Sequence, residues 1–209
     1  MLIAVALVSI SADPRLSAAR SKAAQSVVIP QTLTVTALPG TTQAIKVGPG
    51  NQTNPHIDCN LASYTEVDWF TGASRIYYFD FATNSTQVVP GNGIDLLSEI
   101  AGSDIAFTEV HADGDHVAIF DTVSQVTTFV PGAERSNPSL GGNLVAFKDR
   151  SFSNSSEISI FDQSTGTVTR LTNDALDDEN PEVSPTGNAV VWEKCQTNGT
   201  GCDVYLATP

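Results

Sequence analysis

One short strand ending recurs three times in this chain at a constant distance. It reads Arg75-Ile-Tyr-Tyr-Phe-Asp80, then His116-Val-Ala-Ile-Phe-Asp121, then Glu157-Ile-Ser-Ile-Phe-Asp162. The phenylalanines stand at positions 79, 120 and 161, so both intervals are 41 residues (120−79 and 161−120). A fixed period near 40 residues indicates repeated supersecondary units, which restricts the chain to repeat architectures.

A second recurrence, in register with the first, raises the number of units to four. An apolar residue, a tight turn and a short apolar strand with an aromatic end begin at Ile57, Ile100, Leu140 and Val183. In three units a further short strand follows the Phe-Asp ending, at residues 86–89, 127–130 and 168–171. Each unit therefore predicts four short antiparallel strands.

Four such strands in about 40 residues are typical of a β-propeller blade. We expect an all-β chain that forms a β-propeller of about four four-stranded antiparallel blades, at residues 54–89, 97–130, 137–172 and 180–209. The fourth unit lacks its last strand, and a matching segment, residues 42–47, precedes the first unit. We expect this N-terminal strand to complete the last blade and close the ring, which would protect its exposed edge.

The residues before the repeats have a different character. Residues 1–10 are apolar and small residues follow up to position 24, a pattern typical of a secretory signal peptide, although no Lys or Arg precedes the apolar run. The alternative is an ordered apolar tail that is retained. The run is shorter than the roughly 20 apolar residues that a transmembrane helix needs. Residues 25–41 hold an extra strand-like segment or linker that no blade requires.

The charge balance argues against one class of partner. The chain has 10 Lys and Arg residues against 23 Asp and Glu residues, which gives a net charge of −13. A negative surface repels phosphate backbones, so we expect no nucleic acid partner. Acidic surfaces suit solubility, divalent cations and basic partners.

Two cysteines predict a disulfide. Cys195 and Cys202 stand symmetrically about Asn198-Gly199, since 195+202 and 198+199 both equal 397. Asn-Gly is a strong hairpin turn signal, so the two sulfurs should face each other across a hairpin. A disulfide there implies an oxidising compartment and agrees with export. Cys59 is left without a partner and is expected to be a small buried side chain.

The sequence around His111 is dense in metal-ligand residue types. A hairpin centred on Asp113-Gly114 would place His111 opposite His116, because 111+116 and 113+114 both equal 227. Two imidazoles, with the carboxylates of Asp113 and Asp115 nearby, could bind zinc or another transition metal. The alternative is a plain turn whose histidines are exposed cross-strand partners.

A second cluster concentrates carboxylates between two predicted strands. Its members are Asp174, Asp177, Asp178 and Glu179. Oxygen ligands of this kind suit Ca²⁺, although the spacing differs from that of an EF-hand loop. The alternative is a solvated acidic loop. We expect no required cofactor, with Ca²⁺ as the one candidate.

Four Asn-x-Ser/Thr triplets fall in predicted turns or loops. Their asparagines are Asn51, Asn84, Asn154 and Asn198. A glycan could attach at such sites in a suitable secretory host. In a chain rich in Asn, Ser and Thr, the same triplets also arise by chance.

The repeats resemble those of the TolB-type β-propeller family. In that family a blade starts with an Asn/Ser-Pro strand, which Asn54-Pro55, Asn137-Pro138 and Asn180-Pro181 match. Ser184-Pro185-Thr186-Gly187 is similar to the family's Ser-Pro-Asp-Gly turn, and Arg170-Leu171-Thr172 is similar to its final strand. The resemblance covers residues 42–209. It implies a propeller that usually has six blades, so four blades mean a small closed ring, half of an oligomeric ring or a shortened chain.

Sequence motifs for catalysis are missing, which disfavours an enzyme. The chain contains no Gly-x-Ser-x-Gly elbow, phosphate-binding loop or zinc-protease helix motif. We expect a non-enzymatic, exported β-propeller that acts as a protein- or polysaccharide-binding scaffold at the cell surface or in the periplasm. Its binding loops would be residues 66–74, 110–115, 149–156 and 193–201.

Two other functions remain open. The chain could be a structural subunit of an extracellular filament or surface assembly, in which N-terminal β-strand addition links the copies. It could also be a metal-dependent hydrolase or lyase with its site on one propeller face. The three functions differ in whether the chain self-assembles and whether it holds a metal.

Overall fold

The computed structural model describes residues 40–152 and 154–208, and these residues form β-strands and turns. The predicted signal peptide or apolar tail at residues 1–24, and residues 25–39 of the extra strand or linker, lie outside the described residues. Within the described ranges, no helix is long and apolar enough to cross a membrane.

The strands form four antiparallel sheets, one for each sequence unit, which we call blades 1 to 4. Blade 1 contains β1 (Asn51–Asp58), β2 (Leu61–Val67), β3 (Ser74–Asp80) and β4 (Ser85–Val88). Blade 2 contains β5 (Asp95–Ala101), β6 (Asp104–His111), β7 (Gly114–Asp121) and β8 (Val126–Phe129). Blade 3 contains β9 (Arg135–Gly141), β10 (Leu144–Asp149), β11 (Glu157–Asp162) and β12 (Thr167–Arg170). Blade 4 contains β13 (Asp177–Val183), β14 (Val190–Cys195) and β15 (Asp203–Ala207).

The recurring Phe-Asp ending has a structural cause in the turn that follows it. Oδ1 of Asp80, Asp121 and Asp162 each accepts a hydrogen bond of 2.8 Å from the backbone amide two residues later. These and neighbouring hydrogen bonds lower the pKa of all three carboxyls. The aspartate therefore starts the hairpin turn into the last strand of each blade, which explains why the repeat includes it.

Apolar side chains fill the junctions between consecutive blades. The first cluster joins blades 1 and 2 around Ile76 and Phe107, both fully buried. The second joins blades 2 and 3 around Val117 and Phe147, and the third joins blades 3 and 4 through residues that include Trp192. Each middle sheet thus buries both of its faces, which is the main source of burial in this fold.

The segment predicted to close the ring, residues 42–47, is not paired with blade 4 in the structure. Residues 42–47 form no strand, and within the described residues blade 4 has the order β13-β14-β15 with no fourth strand. Lys46 instead contacts blade 1, where its Nζ lies 3.0 Å from Glu66 Oε2 and 5.3 Å from the ring centroid of Tyr77. The ion pair and the aromatic ring attract the segment to the outer face of blade 1.

We expect Phe107→Ala to lower the free energy of unfolding by roughly 3–5 kcal/mol, because the substitution leaves a cavity in a fully packed junction. Phe70→Ala is the matched control, since Phe107 is 0% exposed and Phe70 is 92% exposed. Urea unfolding followed by circular dichroism measures both variants. Equal losses for the two variants would contradict the packing described here.

Candidate functional site at the propeller axis

The innermost strand of every blade carries a bulge at the same place. The strand pairing shifts register once in β1, β5, β9 and β13. At each bulge one residue has a positive φ, namely Asn54 (50°), Leu97 (55°), Asn137 (52°) and Asn180 (51°). Asparagine adopts this left-handed conformation more readily than most residues, which accounts for the Asn of the Asn-Pro repeat in three blades.

The second residue after each bulge occupies an equivalent position near the axis. These four residues are His56, Glu99, Ser139 and Glu182, which pair with Ser63, Ala106, Ala146 and Val191 of the second strands. His56, Glu99 and Glu182 line a cavity of about 200 Å³ together with residues of all four innermost strands. Glu99 also lines an adjoining cavity of about 390 Å³. The axis of the propeller is therefore hollow and acidic.

Hydrogen bonds organise the two glutamates around one serine. Ser139 is 1% exposed, its Oγ donates to Glu182 Oε2 at 3.2 Å, and it accepts from the backbone amide of Val183 at 2.9 Å. Burial raises the pKa of Glu99 to about 7, a hydrogen bond with Ser139 opposes the rise, and the Glu182 carboxylate adds to it. Since a hydroxyl has one proton, Ser139 can donate to only one of the two carboxylates at a time.

A short chain of hydrogen bonds connects the axis to the second strand of blade 4. Asn137 Nδ2 donates to Asn180 Oδ1 at 2.9 Å, and Asn180 Nδ2 donates to Glu193 Oε2 at 3.0 Å. Glu193 lies within β14, where it pairs with Glu179 of β13 and Val204 of β15. The axial asparagines are thus fixed in orientation.

Together these groups suit the binding of a cation. Glu182, Glu99 and the imidazole of His56 line one partly enclosed cavity, in which Glu182 is exposed and Glu99 is partly buried. A partly buried carboxylate attracts a positive group more strongly than it does in water. A lysine, an arginine or a free amino group has matching charge and hydrogen-bond donors.

Comparisons with known proteins identify the architecture. No protein-family model matches the chain, and no curated protein matches it. Among solved structures, TolB from Acinetobacter baumannii superposes with a TM-score of 0.62 at 22% sequence identity, over 80% of this chain and 43% of that one. The fold is a TolB-like β-propeller. This confirms the predicted fold class of about four antiparallel blades.

Two further structures support the same fold. A putative TolB from Agrobacterium tumefaciens has a TM-score of 0.58 at 18% identity, over 71% of this chain and 57% of that one. The β-propeller domain of the Trilobed protease from Pyrococcus furiosus has a TM-score of 0.59 at 11% identity, over 78% of this chain and 56% of that one. The described TolB-like chain therefore spans about half the length of these structures.

The predicted disulfide is formed in the TolB-like propeller. The sulfurs of Cys195 and Cys202 are 2.06 Å apart, at the end of β14 and just before β15. Lys194 pairs with Asp203 in the register expected for a hairpin centred on Asn198-Gly199. Cys59, by contrast, is exposed, so the prediction of a buried side chain is wrong. It stands in the tight turn between β1 and β2 with a φ of 50°.

The histidine hairpin has a different register from the predicted one. His111 pairs with Gly114, and His116 pairs with Glu109, because the turn consists of Ala112 and Asp113. The two histidine rings still meet diagonally on one face, with centroids 4.7 Å apart, and His116 Nε2 lies 3.2 Å from Asp113 Oδ1. Asp115 is the strand neighbour of His116, so its side chain points to the other face.

The four acidic residues near the start of β13 form two pairs, each with a shared partner: Lys194 contacts Asp174 and Asp178, and the Ser156 hydroxyl donates to Asp177 or Glu179. Asp174 forms an ion pair with Lys194, and Asp177 accepts from the amide and hydroxyl of Ser156 at 2.9 and 3.1 Å. Asp178 accepts from Trp192 Nε1 at 2.8 Å. Glu179 contacts Lys148 at 3.0 Å and Arg150 at 3.6 Å. These carboxylates do not converge on a shared point.

Within the described ranges, one group of three metal-ligand side chains comes close together, namely Glu193, Cys195 and Cys202. Its two sulfurs are joined to each other, so it offers no thiolates to a metal. The asparagines of the glycosylation triplets are all exposed, at Asn51, Asn84, Asn154 and Asn198. Glycosylation at these positions stays a prediction.

The predicted binding loops share one rim of the propeller. Each of them follows the second strand of its blade, and all four blades have the same strand order. Loops after equivalent strands must emerge on the same side, so residues 66–74, 110–115, 149–156 and 193–201 form a common surface. The connections between blades emerge on that side as well.

The sequence motifs did not predict the residues of the axial cavity, although the repeat places them at one equivalent position. Asn-Pro-x places His56, Ser139 and Glu182 in register, two residues after Asn54, Asn137 and Asn180. At the equivalent repeat position, blade 2 has Leu97-Ser98-Glu99, which lacks the Asn-Pro motif. An alignment of the four units on the bulge would have grouped these side chains.

We expect Glu99→Gln to change the pH dependence of stability. Because burial raises the pKa of Glu99 to about 7, the folded chain keeps this proton between about pH 4.5 and 7 while the unfolded chain loses it. Glu99 therefore makes the wild-type protein lose stability as the pH rises through this window, by on the order of 2 kcal/mol, with little change above it.

Urea midpoints at pH 5, 6, 7 and 8 measure the effect as the difference between wild type and Glu99→Gln. The variant should be less sensitive to pH between 5 and 7. Asp203→Asn at an exposed position of β15 is the control and should follow the wild type. Parallel curves for Glu99→Gln and the wild type would show that this carboxyl does not titrate in the stated window.

Proposed function

We propose that this TolB-like propeller is a non-enzymatic scaffold that binds a protein partner and receives a positively charged segment of it at the axial cavity. The observation that carries the proposal is the convergence of Glu99, Glu182 and His56 at equivalent positions around that cavity. A ring of equivalent positions on a rigid scaffold is a common way to hold a ligand in repeat proteins.

The overall charge supports a basic partner. The net charge of −13 favours association with positive surfaces and accelerates the encounter at low salt. The common rim of loops adds a broad surface on one side of the propeller. A peptide that enters the cavity can therefore be held by its charge, while the rim contacts the rest of the partner.

The proposal includes a location outside the cytoplasm, in the periplasm or at the cell surface. The Cys195–Cys202 disulfide supports it, because such bonds persist in oxidising compartments. A polysaccharide partner is less well matched, since neutral sugars have no charge to meet the two glutamates. A hydrolase or lyase is less well supported, since the sequence contains no catalytic motif of the common hydrolase classes.

We expect a basic peptide to bind to the protein and a neutral one not to. The probe is a fluorescent ten-residue peptide with two adjacent lysines at its centre, compared with the same peptide with glutamines. Fluorescence anisotropy at pH 8 should show saturable binding of the basic peptide. Glu182→Gln and Glu99→Gln should each weaken it at least tenfold, because each removes one carboxylate from a partly enclosed site.

The matched control for these variants is Asp203→Asn, which removes the same charge from an exposed position away from the cavity. Its affinity should stay within about twofold of the wild type. Equal weakening in all three variants would show that net charge alone attracts the peptide. That result would overturn the axial site as the place of binding.

The edge of blade 4 favours a second candidate function, self-assembly by strand addition. Within the described residues, β15 is the last strand of a sheet that lacks a fourth. Its apolar side chains are open to solvent, with Val204 77% and Leu206 65% exposed. An edge of this kind can pair with an added strand, for example residues 26–37 of another copy.

If strand addition links copies of the chain, the full-length protein should form oligomers whose mass rises with concentration. Leu206→Lys should reduce the mass to that of a monomer, because a charge on the open face opposes pairing. Val123→Lys, at an 81% exposed turn position, is the control. Light scattering from about 10 µM to 1 mM measures the mass, and a monomer throughout this range excludes assembly by this route.

A further inference from the structure

The two axial cavities differ in their chemistry. The smaller one, of about 200 Å³, has the polar side chains of His56, Glu99 and Glu182 in its wall, and we call it the upper cavity. The larger one, of about 390 Å³, is the lower cavity. Its wall contains the third residue after the bulge of each innermost strand, and this residue is apolar in all four blades, namely Ile57, Ile100, Leu140 and Val183.

The two cavities follow one another along the axis. In β1 the upper cavity is lined by Asn54 and His56, and the lower cavity by Ile57 and Asp58. The other three innermost strands show the same order. The lower cavity therefore lies on the side of the upper one that faces the turns between the first and second strands.

Contacts between neighbouring blades fix the wall of the lower cavity. The amide of Gly102 in blade 2 donates to Asp58 Oδ2 of blade 1 at 2.7 Å. The amide of Gly142 in blade 3 donates to the backbone oxygen of Pro185 in blade 4 at 3.1 Å. A ligand that enters this cavity therefore meets a wall that is already formed, and little free energy is lost in ordering the protein.

The lower cavity keeps one apolar side chain open to solvent. Ile57 is 68% exposed, whereas Ile100 and Leu140, at the same place in blades 2 and 3, are 5% and 3% exposed. Covering such apolar surface with an apolar ligand group is favourable. The volume of about 390 Å³ is within the range of roughly 300–1,000 Å³ that is common for ligand pockets.

Glu99 joins the two cavities. Among residues 40–152 and 154–208, it is the one residue that stands in the walls of both. A ligand that occupies both cavities must therefore present a positive group to the Glu99 carboxylate and an apolar group directly beside it.

The first residue of a polypeptide has this combination of groups. Its α-ammonium group and its side chain branch from the same carbon atom, so the charge meets Glu99 while the side chain enters the lower cavity. A lysine side chain has its charge at the end of a flexible stem, with no apolar group beyond it. A lysine at Glu99 would therefore leave the lower cavity empty.

We propose that the axial site recognises the free amino terminus of a partner polypeptide whose first residue has a large apolar side chain. The ammonium group lies in the upper cavity against Glu99 and Glu182, and the side chain fills the lower cavity between Ile57, Leu140 and Val183. This inference rests on the proposed function and narrows its ligand from a positive segment to a chain end.

The test compares three ten-residue peptides that contain no Lys or Arg and have a fluorophore at the carboxyl end. The first begins with a free Leu, the second with an acetylated Leu and the third with a free Gly. At pH 7.5 most free amino termini are protonated. Anisotropy with the full chain should show saturable binding of the first peptide, and at least tenfold weaker binding of the other two.

Variants of the protein then assign each group of the peptide to a cavity. Glu99→Gln should weaken the free Leu peptide at least tenfold and leave the acetylated one unchanged. Ile57→Ser should weaken the free Leu peptide about fivefold and leave the Gly peptide unchanged, and its exposed position spares the fold. Val123→Ser, at an 81% exposed turn position, is the control and should bind like the wild type.

The outcomes separate this inference from the proposed function. The dilysine peptide described above, with its amino end acetylated, is measured in the same assay. If it binds in a manner that depends on Glu99 and Glu182, while the Leu peptide is insensitive to acetylation and to the exchange of Leu for Gly, the chain-end inference is wrong and the proposed function stands. If neither peptide binds, both are wrong. If Leu and Gly differ as much in Ile57→Ser as in the wild type, the apolar side chain does not occupy the lower cavity.

Discussion

The structure depends on one constraint, which is that each twisted sheet must cover two apolar faces and can do so only against a neighbour. Three apolar clusters meet this need between consecutive blades. Among residues 40–152 and 154–208, the two end sheets have no such neighbouring sheet on their outer sides. On blade 1 the segment with Ile45 and Lys46 lies against Tyr64, which is 3% exposed, while blade 4 leaves Val204 and Leu206 in solvent.

Strand number and order were predictable from the sequence because they depend on local patterns. The alternation of apolar residues and the aspartate that starts each hairpin turn act within a few residues, so the repeat reveals them. The partner of residues 42–47 was not predictable in this way. Lys46 contacts Glu66 and Tyr77, which are distant from it in sequence. Neither the strand propensity of the segment nor the repeat period predicts such a contact.

The candidate sites show the same division. The disulfide was predictable because Cys195 and Cys202 belong to one hairpin. The strand register around His111 and His116 was not predictable. Asp113-Gly114 is a strong turn signal, but Ala112 and Asp113 form the turn. The axial cavity needs four strands from four units, so its residues become neighbours only when the sheets are arranged around an axis.

The regular spacing of the units has a consequence for the history of such chains. Every junction is formed by the same two faces, and each unit contacts chiefly the units before and after it. A unit of about 41 residues can therefore be gained or lost while the remaining junctions keep their contacts. The lengths of related chains should therefore differ by whole blades. Each change in blade number would also require a new way to cover the apolar faces of the two end sheets.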